Sequence, residues 1–534
     1  MKSAESFEPS IPAFPGNSLS PWKVFFACIL ASLATIFAPP LLRMFRAHIW
    51  SALDMSEVQW AVALAIRGFV LILFVLVGGA IGDVFGQRRV LILALWSYIL
   101  SSALTALAPS SSVFVVASTL MSVTGAIVKV LSLTLMLIAF DRRQRIFALV
   151  VYSVIVLLGY VLSPLMAREI GQNADARYMY ALPTTLGVLA LGLAIKYVPP
   201  SSLVRAKVMD VLTMNLWIAG LCGVIFALVL AGIVGWTNIW VLFILGTGIV
   251  IMVGVDRFER IPLGDERWRY HLGFKRQLGV AIVAGVMLNL VLYSVTAQIY
   301  SFLNRVQNYD LLAAAIRLAP VLVGAVVFGA IAAQLTIRLG ARNALSLGLL
   351  VTAAAATGFS LLQPNLPYWI LALLLVAVGF GFILGNTPRL LLLNAAVPYG
   401  LIATAQAIGS ATAQLGGALA YALMLYLTQG FGLQVLTGLV QGSGLNVTEA
   451  ALQLESLSVS VDSLSLLQTS PVQMTIAERL VPGFHLAYTK GLSQAMLVLA
   501  GVCVVAAVLV QVVLLGTSAS NTEGDAEPVA QKSF

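Results

Sequence analysis

"GAIGDVFGQRRVL", residues 79–91, lies between two apolar runs that are each about long enough to cross a bilayer. It places an aspartate, two adjacent arginines and three glycines where an apolar chain must turn. The surrounding composition says what kind of turn this is. Of 534 residues, 60% are hydrophobic and 10% charged, with a mean hydropathy of +0.99. A soluble protein so constituted lacks the polar residues to cover its surface. The apolar segments are continuous and do not alternate as short strands, which excludes a β-barrel and indicates an all-α polytopic membrane protein.

The formal net charge of +9 raises a nucleic-acid partner. The basic residues are scattered through short loops, however, with no basic stripe, so no nucleic acid is expected and orientation in the membrane explains them better. Cys28, Cys222 and Cys503 lie far apart in apolar runs. An odd count without a C-x-x-C pair suggests neither a disulfide framework nor a zinc site. His48, His271 and His485 lack ligand spacing, so neither a metal nor a cofactor is expected. The first twenty residues are polar and contain proline, with no cleavable signal visible.

A membrane span needs about 20 mostly apolar residues, and about fourteen runs qualify. They are 22–42, 58–78, 90–108, 113–140, 146–166, 178–198, 211–234, 239–255, 278–303, 311–335, 344–362, 369–393, 401–427 and 492–515. With the N-terminus inside, the inner loops carry sixteen Lys and Arg residues, among them Arg88, Arg89, Arg143, Lys207 and Arg342. The outer loops carry seven, Arg43, Arg46, Arg168, Arg177, Arg305, Arg479 and Lys490. That bias puts both termini in the cytoplasm of a plasma (inner) membrane. The stretch 430–484 reads as an external loop with short amphipathic helices, and 517–534 as a disordered cytoplasmic tail.

The opening stretch fits G-x-L-a-D-r-x-G-r-k, with Gly79, Ile81 for leucine, Asp83, Gly86 and Arg88. It resembles the loop between the second and third helices of the major facilitator superfamily. Glycines permit a tight turn and close helix approach, and Asp83 can meet a helix N-terminus or an arginine. Such a contact would latch one transport state. A second copy, "AQLTIRLGARNAL" at 333–345, aligns at an offset of 254 residues: Gly340 matches Gly86, Arg342 matches Arg88, and Ile337 replaces Asp83. Parallel six-helix halves characterise the superfamily. The offset holds eight spans, so two are inserted. The resemblance therefore implies a major facilitator fold, with a cytoplasmic segment 1–21, a six-helix half at 22–198, inserted helices 7–8 with basic loops at 199–276, and a second half at 277–516. "EVQWAVALAI" at 57–66, "LLAAAIRLAPVLVGAV" and "AQLGGALAYAL" resemble spans 2, 10 and 13 of the fourteen-span drug:proton antiporter branch.

The residues tied to proton coupling in that branch are mostly missing. "LASLATIFAPP" has Ala31 or Leu30 where the family's span 1 acid belongs, and Ser118 stands nearest to the span 4 arginine. The intramembrane charges are cationic instead: Arg67 in span 2, Lys129 in span 4 and Arg317 in span 10. Such charges are costly in lipid and face a cavity or a partner; snorkelling or capping of a kinked neighbour's carbonyls is the plainer role, best suited to Arg317. Asn289, Tyr293, Gln298, Asn386, Gln406 and Gln414 complete the candidate cavity set, each equally able to join helices or anchor at the interface.

The expected activity is secondary transport by alternating access, exporting a small amphipathic or anionic compound. Protons are a candidate co-substrate, membrane lipids surround a monomer, and an enzyme is not expected, since no Walker A, HExxH or GxSxG motif occurs. Two alternatives stand beside this: a proton-independent facilitator or lipid-anion exporter, and a transport-silent receptor or assembly factor on the same fold.

Overall fold

A computed structural model describes residues 21–44, 57–140, 144–155, 179–199, 238–259, 276–396, 402–440 and 471–515, with isolated positions elsewhere. The N-terminal segment, most of span 7, the basic loop before residue 276 and the C-terminal tail lie outside the described residues. The described elements are helices: α1 (Pro21–Met44), α2 (Glu57–Phe85), α3 (Gln87–Ala106), α4 (Ser111–Ala139), α5 (Gln144–Ile155), α6 (Ala181–Tyr197), α7 (Ile239–Glu259), α8 (Arg276–Arg305), the short α9 (Leu311–Ile316), α10 (Pro320–Gly358), α11 (Tyr368–Ala396), α12 (Ile402–Val440) and α13 (Pro471–Leu515). Among the described residues six helices are long and apolar enough to cross a membrane, and further apolar helical pieces occur in α1, α2, α5, α6 and α7.

Two expectations about helix ends change. Residues 79–91 are not an extended loop: α2 runs to Phe85, α3 begins at Gln87, and Gly86 alone makes the break, with φ 92° and ψ 120°. The stretch 430–484 is helical at both ends, because α12 continues to Val440 and α13 starts at Pro471, leaving 441–470 outside the described residues. Spans 10 and 11 form one helical run, α10, of 39 residues. At about 1.5 Å per residue this is roughly twice the 30 Å of a bilayer core. That is length enough for two spans, divided at Gly340, whose non-helical φ 78° and ψ 162° kink the run.

Local chemistry sets the other ends. Asp310 caps α9, its carboxylate accepting from the Ala313 N–H at 2.8 Å. Pro320 opens α10, where its missing N–H is harmless. Buried hydroxyls along the helices return to their own backbone, as Thr105 does to Ser101 O (2.7 Å) and Thr134 to Val130 O (2.9 Å). In lipid that internal satisfaction is what makes such residues tolerable.

Two cores result. One joins α1–α6 to faces of α8, α11 and α12; the other gathers α8–α13 and takes in Val150 of α5. Glycines bring α10 and α11 into backbone contact: a Cβ on Gly324 would overlap the Val376 carbonyl, one on Gly379 the Val321 carbonyl, and one on Gly348 the backbone of Gly385. With no hydrophobic driving force between helices in lipid, close packing of small residues is the available glue. The apolar α7 turns Ile239 (71% exposed) and Val250 (70%) outward, as a lipid-facing helix would.

Candidate functional site

The break at Gly86 places Asp83 in the last turn of α2 and Arg88 in the first turn of α3. Asp83 is buried, and its carboxylate reaches into the other half of the molecule. It accepts from the backbone N–H groups of Ala403 (3.2 Å) and Thr404 (2.9 Å) and from the Thr404 hydroxyl (2.9 Å). Gln87 donates a further bond at 3.1 Å. Ala403 and Thr404 form the first turn of α12, where helix N–H groups have no intrahelical partner and the macrodipole is positive. An acid is the side chain that position attracts.

The glycines of the motif make the approach possible. A Cβ on Gly79 would stand 2.6 Å from the Ala407 methyl and 2.7 Å from the Ala403 carbonyl oxygen. One on Gly82 would run into the Leu131 side chain of α4. Arg88 stays within its own half, donating to Ile195 O at the end of α6 (2.8 Å), while Arg89 is exposed.

The second copy repeats the turn without the acid. Gly340 again has positive φ, and Arg342 again reaches the last helix of its half, donating to Gln511 of α13 at 2.8 Å. Ile337, in the place of Asp83, is 64% exposed.

A cavity of about 50 Å³ lies farther in, lined by Thr35 of α1, Arg67 of α2, Tyr98 of α3, Ser122 and Lys129 of α4, and Gln414 of α12, among apolar neighbours. Arg67 donates from Nε to Ser122 Oγ at 3.0 Å, and the Tyr180 hydroxyl, at the start of α6, is its other side-chain partner. The Ser122 hydroxyl is in turn spent on Ser118 O (2.9 Å), and Tyr98 on Ala34 O (2.6 Å). No carboxylate is among the described lining residues.

The structure thus gathers Arg67, Lys129 and Gln414 at one cavity and puts the other candidates elsewhere. Arg317 stacks on the rings of Tyr309 (3.6 Å) and Tyr368 (5.5 Å) and donates to Ala313 O (3.4 Å), a helix-end clamp at the far end from the gate. Asn289 donates to Gly285 O of its own helix (2.8 Å), and Tyr293 lies against Gly417. Gln298 accepts from Tyr488 (3.1 Å), and Gln406 donates to Asn394 beside the gate.

One buried cation escapes sequence reasoning. Arg389 of α11, 3% exposed, donates from Nε to Asn386 Oδ1 and from Nη1 to Thr412 Oγ1 of α12, both at 3.1 Å. Asn386 then donates to Ser153 Oγ of α5, in the opposite half, at 3.3 Å. Arg389 lies seven residues from the end of α11, where an arginine does not stand out from those that flank spans. The readable signal is "GNTPRL", an amide, a proline and an arginine inside an apolar run.

Two helical halves joined by an acid on a helix terminus, with two cationic side chains at an internal cavity, are an arrangement suited to a membrane transporter. The comparisons agree with that class. A profile of the Major Facilitator Superfamily matches residues 24–210 and 203–421, and the chain belongs to this superfamily. It is similar to the multidrug resistance protein Stp of Mycobacterium tuberculosis, 24% identical over 410 residues, covering 75% of this chain and 73% of that protein. It is also similar to the tetracenomycin C resistance and export protein of Streptomyces glaucescens, 24% identical over 387 residues, covering 70% and 69%. These relatives place it in the drug-resistance branch, among multi-pass secondary transporters and not enzymes. Among solved structures, the fold matches the POT family transporter PepTSo with a TM-score of 0.56 at 15% identity, covering 94% of this chain and 99% of that one. The human organic anion transporter MFSD10 matches with a TM-score of 0.54 at 15% identity, covering 92% and 99%.

Proposed function

We propose that the protein exports small amphipathic compounds bearing an anionic or zwitterionic group, working by alternating access with Asp83 as the latch. The observation that carries the substrate class is the cavity that holds Arg67 and Lys129 with no carboxylate among its described lining residues. Arg67 is held by the neutral hydroxyls of Ser122 and Tyr180, and an arginine cannot shed its charge. An anionic group offers the opposite charge that the lining lacks; a drug cation meets repulsion. Relatives named for resistance and export support the outward direction. At about 50 Å³ the cavity has room for a few waters, against about 300–1,000 Å³ for a usual small-molecule site. Substrate therefore enters when the halves part.

We place this machinery in fourteen spans of a plasma membrane, with helices 7–8 outside the two halves and both termini cytoplasmic. Labelling of cysteines introduced at positions 143 and 207 from inside, and at 455 from outside, tests that topology. Everted vesicles test the substrate class. Arg67→Ala is expected to reduce uptake of an organic anion more than Arg67→Lys, which keeps the charge and loses the planar fork. Equal anion and cation uptake by the unsubstituted protein would sink the substrate class.

Coupling to protons has a second reading. Ala31, buried in α1 where relatives of this branch carry an acid, favours a proton-independent facilitator. Flux that survives an uncoupler supports the facilitator, and flux that collapses with the pH gradient supports antiport.

A further inference from the structure

Arg389 is not explained by the latch or by the cavity. Its guanidinium is buried in contact with three helices: it lies on its own α11, bonds Thr412 of α12, and covers Gly285 of α8, where a Cβ would overlap Nη1. Through Asn386 it reaches Ser153 of α5 and so the seam between the halves. Among the described residues its partners are an amide and a hydroxyl, with no ion pair. A buried arginine held only by neutral groups is an expensive arrangement, because the charge is desolvated without an opposite charge to offset it.

Its depth suggests what the charge is for. Arg389 is seven residues from the gate end of α11, and Thr412 is eight residues along α12 from Thr404, so both lie roughly 10–12 Å inside the latch. Gln414, two residues beyond Thr412, lines the cavity. Arg389 therefore stands between the latch and Arg67. Pro388, directly before it, removes a backbone hydrogen bond from α11 at this level. When the halves part on the latch side, the Ser153–Asn386 bond is among the contacts that must break.

We propose that Arg389 is a loading subsite for the anionic group of the substrate. It is capped by Asn386 and Thr412 while the latch is shut and uncovered to the gate-side vestibule when α5 leaves α11. An anion captured there displaces neutral partners and moves inward to Arg67. This deepens the anion-export reading and rests on it for its physiological meaning, but the exposure of a cation in the opened seam stands by itself.

The test uses the full chain with its native cysteines replaced and a thiol introduced by Ser153→Cys, a near-isosteric change facing Asn386. The probes are an anionic and a cationic methanethiosulfonate reagent applied from the gate side, with rates divided by those for a free thiol. With the latch weakened by Asp83→Asn, the position is expected to become reactive and to favour the anionic reagent about fivefold, as a unit charge acting across roughly 8 Å of water dictates. Arg389→Gln should abolish the preference while leaving both reagents reactive. Failure to react in the weakened-latch background, or a preference that survives Arg389→Gln, overturns the proposal. Carboxyfluorescein uptake into everted vesicles separates the two readings. If Arg67→Ala leaves that uptake unchanged while the Arg389-dependent preference persists, the anion-cavity reading fails and the subsite stands.

Discussion

Replacing Asp83 with asparagine exchanges one carboxylate oxygen for an NH₂ group and should open a gate. In the closed arrangement Oδ1 accepts from Ala403 N–H and Gln87, and Oδ2 accepts from Thr404 N–H and Thr404 Oγ1. Asparagine retains one oxygen, so two of four donors face an NH₂ group that cannot accept. Hydrogen bonds to a charged acceptor are each worth about 1.5–3 kcal/mol, and the favourable charge–dipole contact at the α12 terminus adds up to about 2 kcal/mol in a partly buried site. Burying a neutral amide is cheaper than burying a carboxylate, which returns a large part of that sum. A net loss of about 2 kcal/mol for the closed state is a shift of about thirtyfold in the gate equilibrium. The assay is the labelling rate of a cysteine introduced at Ser410, buried on α12 three residues beyond Ala407, which faces Gly79 at the α2–α12 crossing. That rate should rise by the same factor while membrane insertion is unaffected. Thr404→Val, which removes the hydroxyl and keeps the backbone donor, should give a smaller rise. An unchanged rate in Asp83→Asn would show that the latch contributes nothing to closure.

Steric and backbone changes around the same elements give further outcomes. Gly79→Leu should also favour the open gate, because its Cβ has no room against Ala407 and Ala403 O; closure partly restored by Ala407→Gly would be seen as a labelling rate falling back. Gly340→Ala meets no neighbouring atom, so its effect isolates backbone strain at φ 78°, a glycine-favoured conformation that costs other residues of order 1–3 kcal/mol. Thermal denaturation in detergent should show the loss, and an unaltered Tm would mean the break relaxes elsewhere. Ile337→Asp should leave gate labelling unchanged, since that position is exposed and no latch contact awaits it; a slower rate would reveal a second latch.

Much of this was legible because the relevant signals are local. Apolar run length located the helices, and the glycine-aspartate-arginine spacing singled out the aspartate that meets a helix terminus. The identity of that partner was not legible: Thr404 is 321 positions from Asp83, and the first turn of an apolar helix looks like any other. Run length also misled at 430–440, where three glycines thin the hydropathy, and at 471–484, where Gln473, Glu478 and Arg479 do so, without breaking the helix. Among the intramembrane cations, Arg67 and Lys129 converge because they share facing surfaces of α2 and α4. Arg317 does not, because two tyrosines near helix ends offer a closer cation site than the cavity does. Arg389 was invisible for a different reason: depth was judged by distance from a span's end, whereas burial depends on the helices that surround it.

The backbone contact between α10 and α11 limits how the second half can move. Where Gly324, Gly348 and Gly379 meet carbonyls and backbone directly, a slide of one residue would drive a side chain into the space a hydrogen occupies. The two helices are consequently keyed like a lock, and intermediate registers are closed to them. Rocking of the half must carry both as one rigid lever. The compliance that transport requires is then left to the gate-side third of α11, where Pro388 has already loosened the ladder.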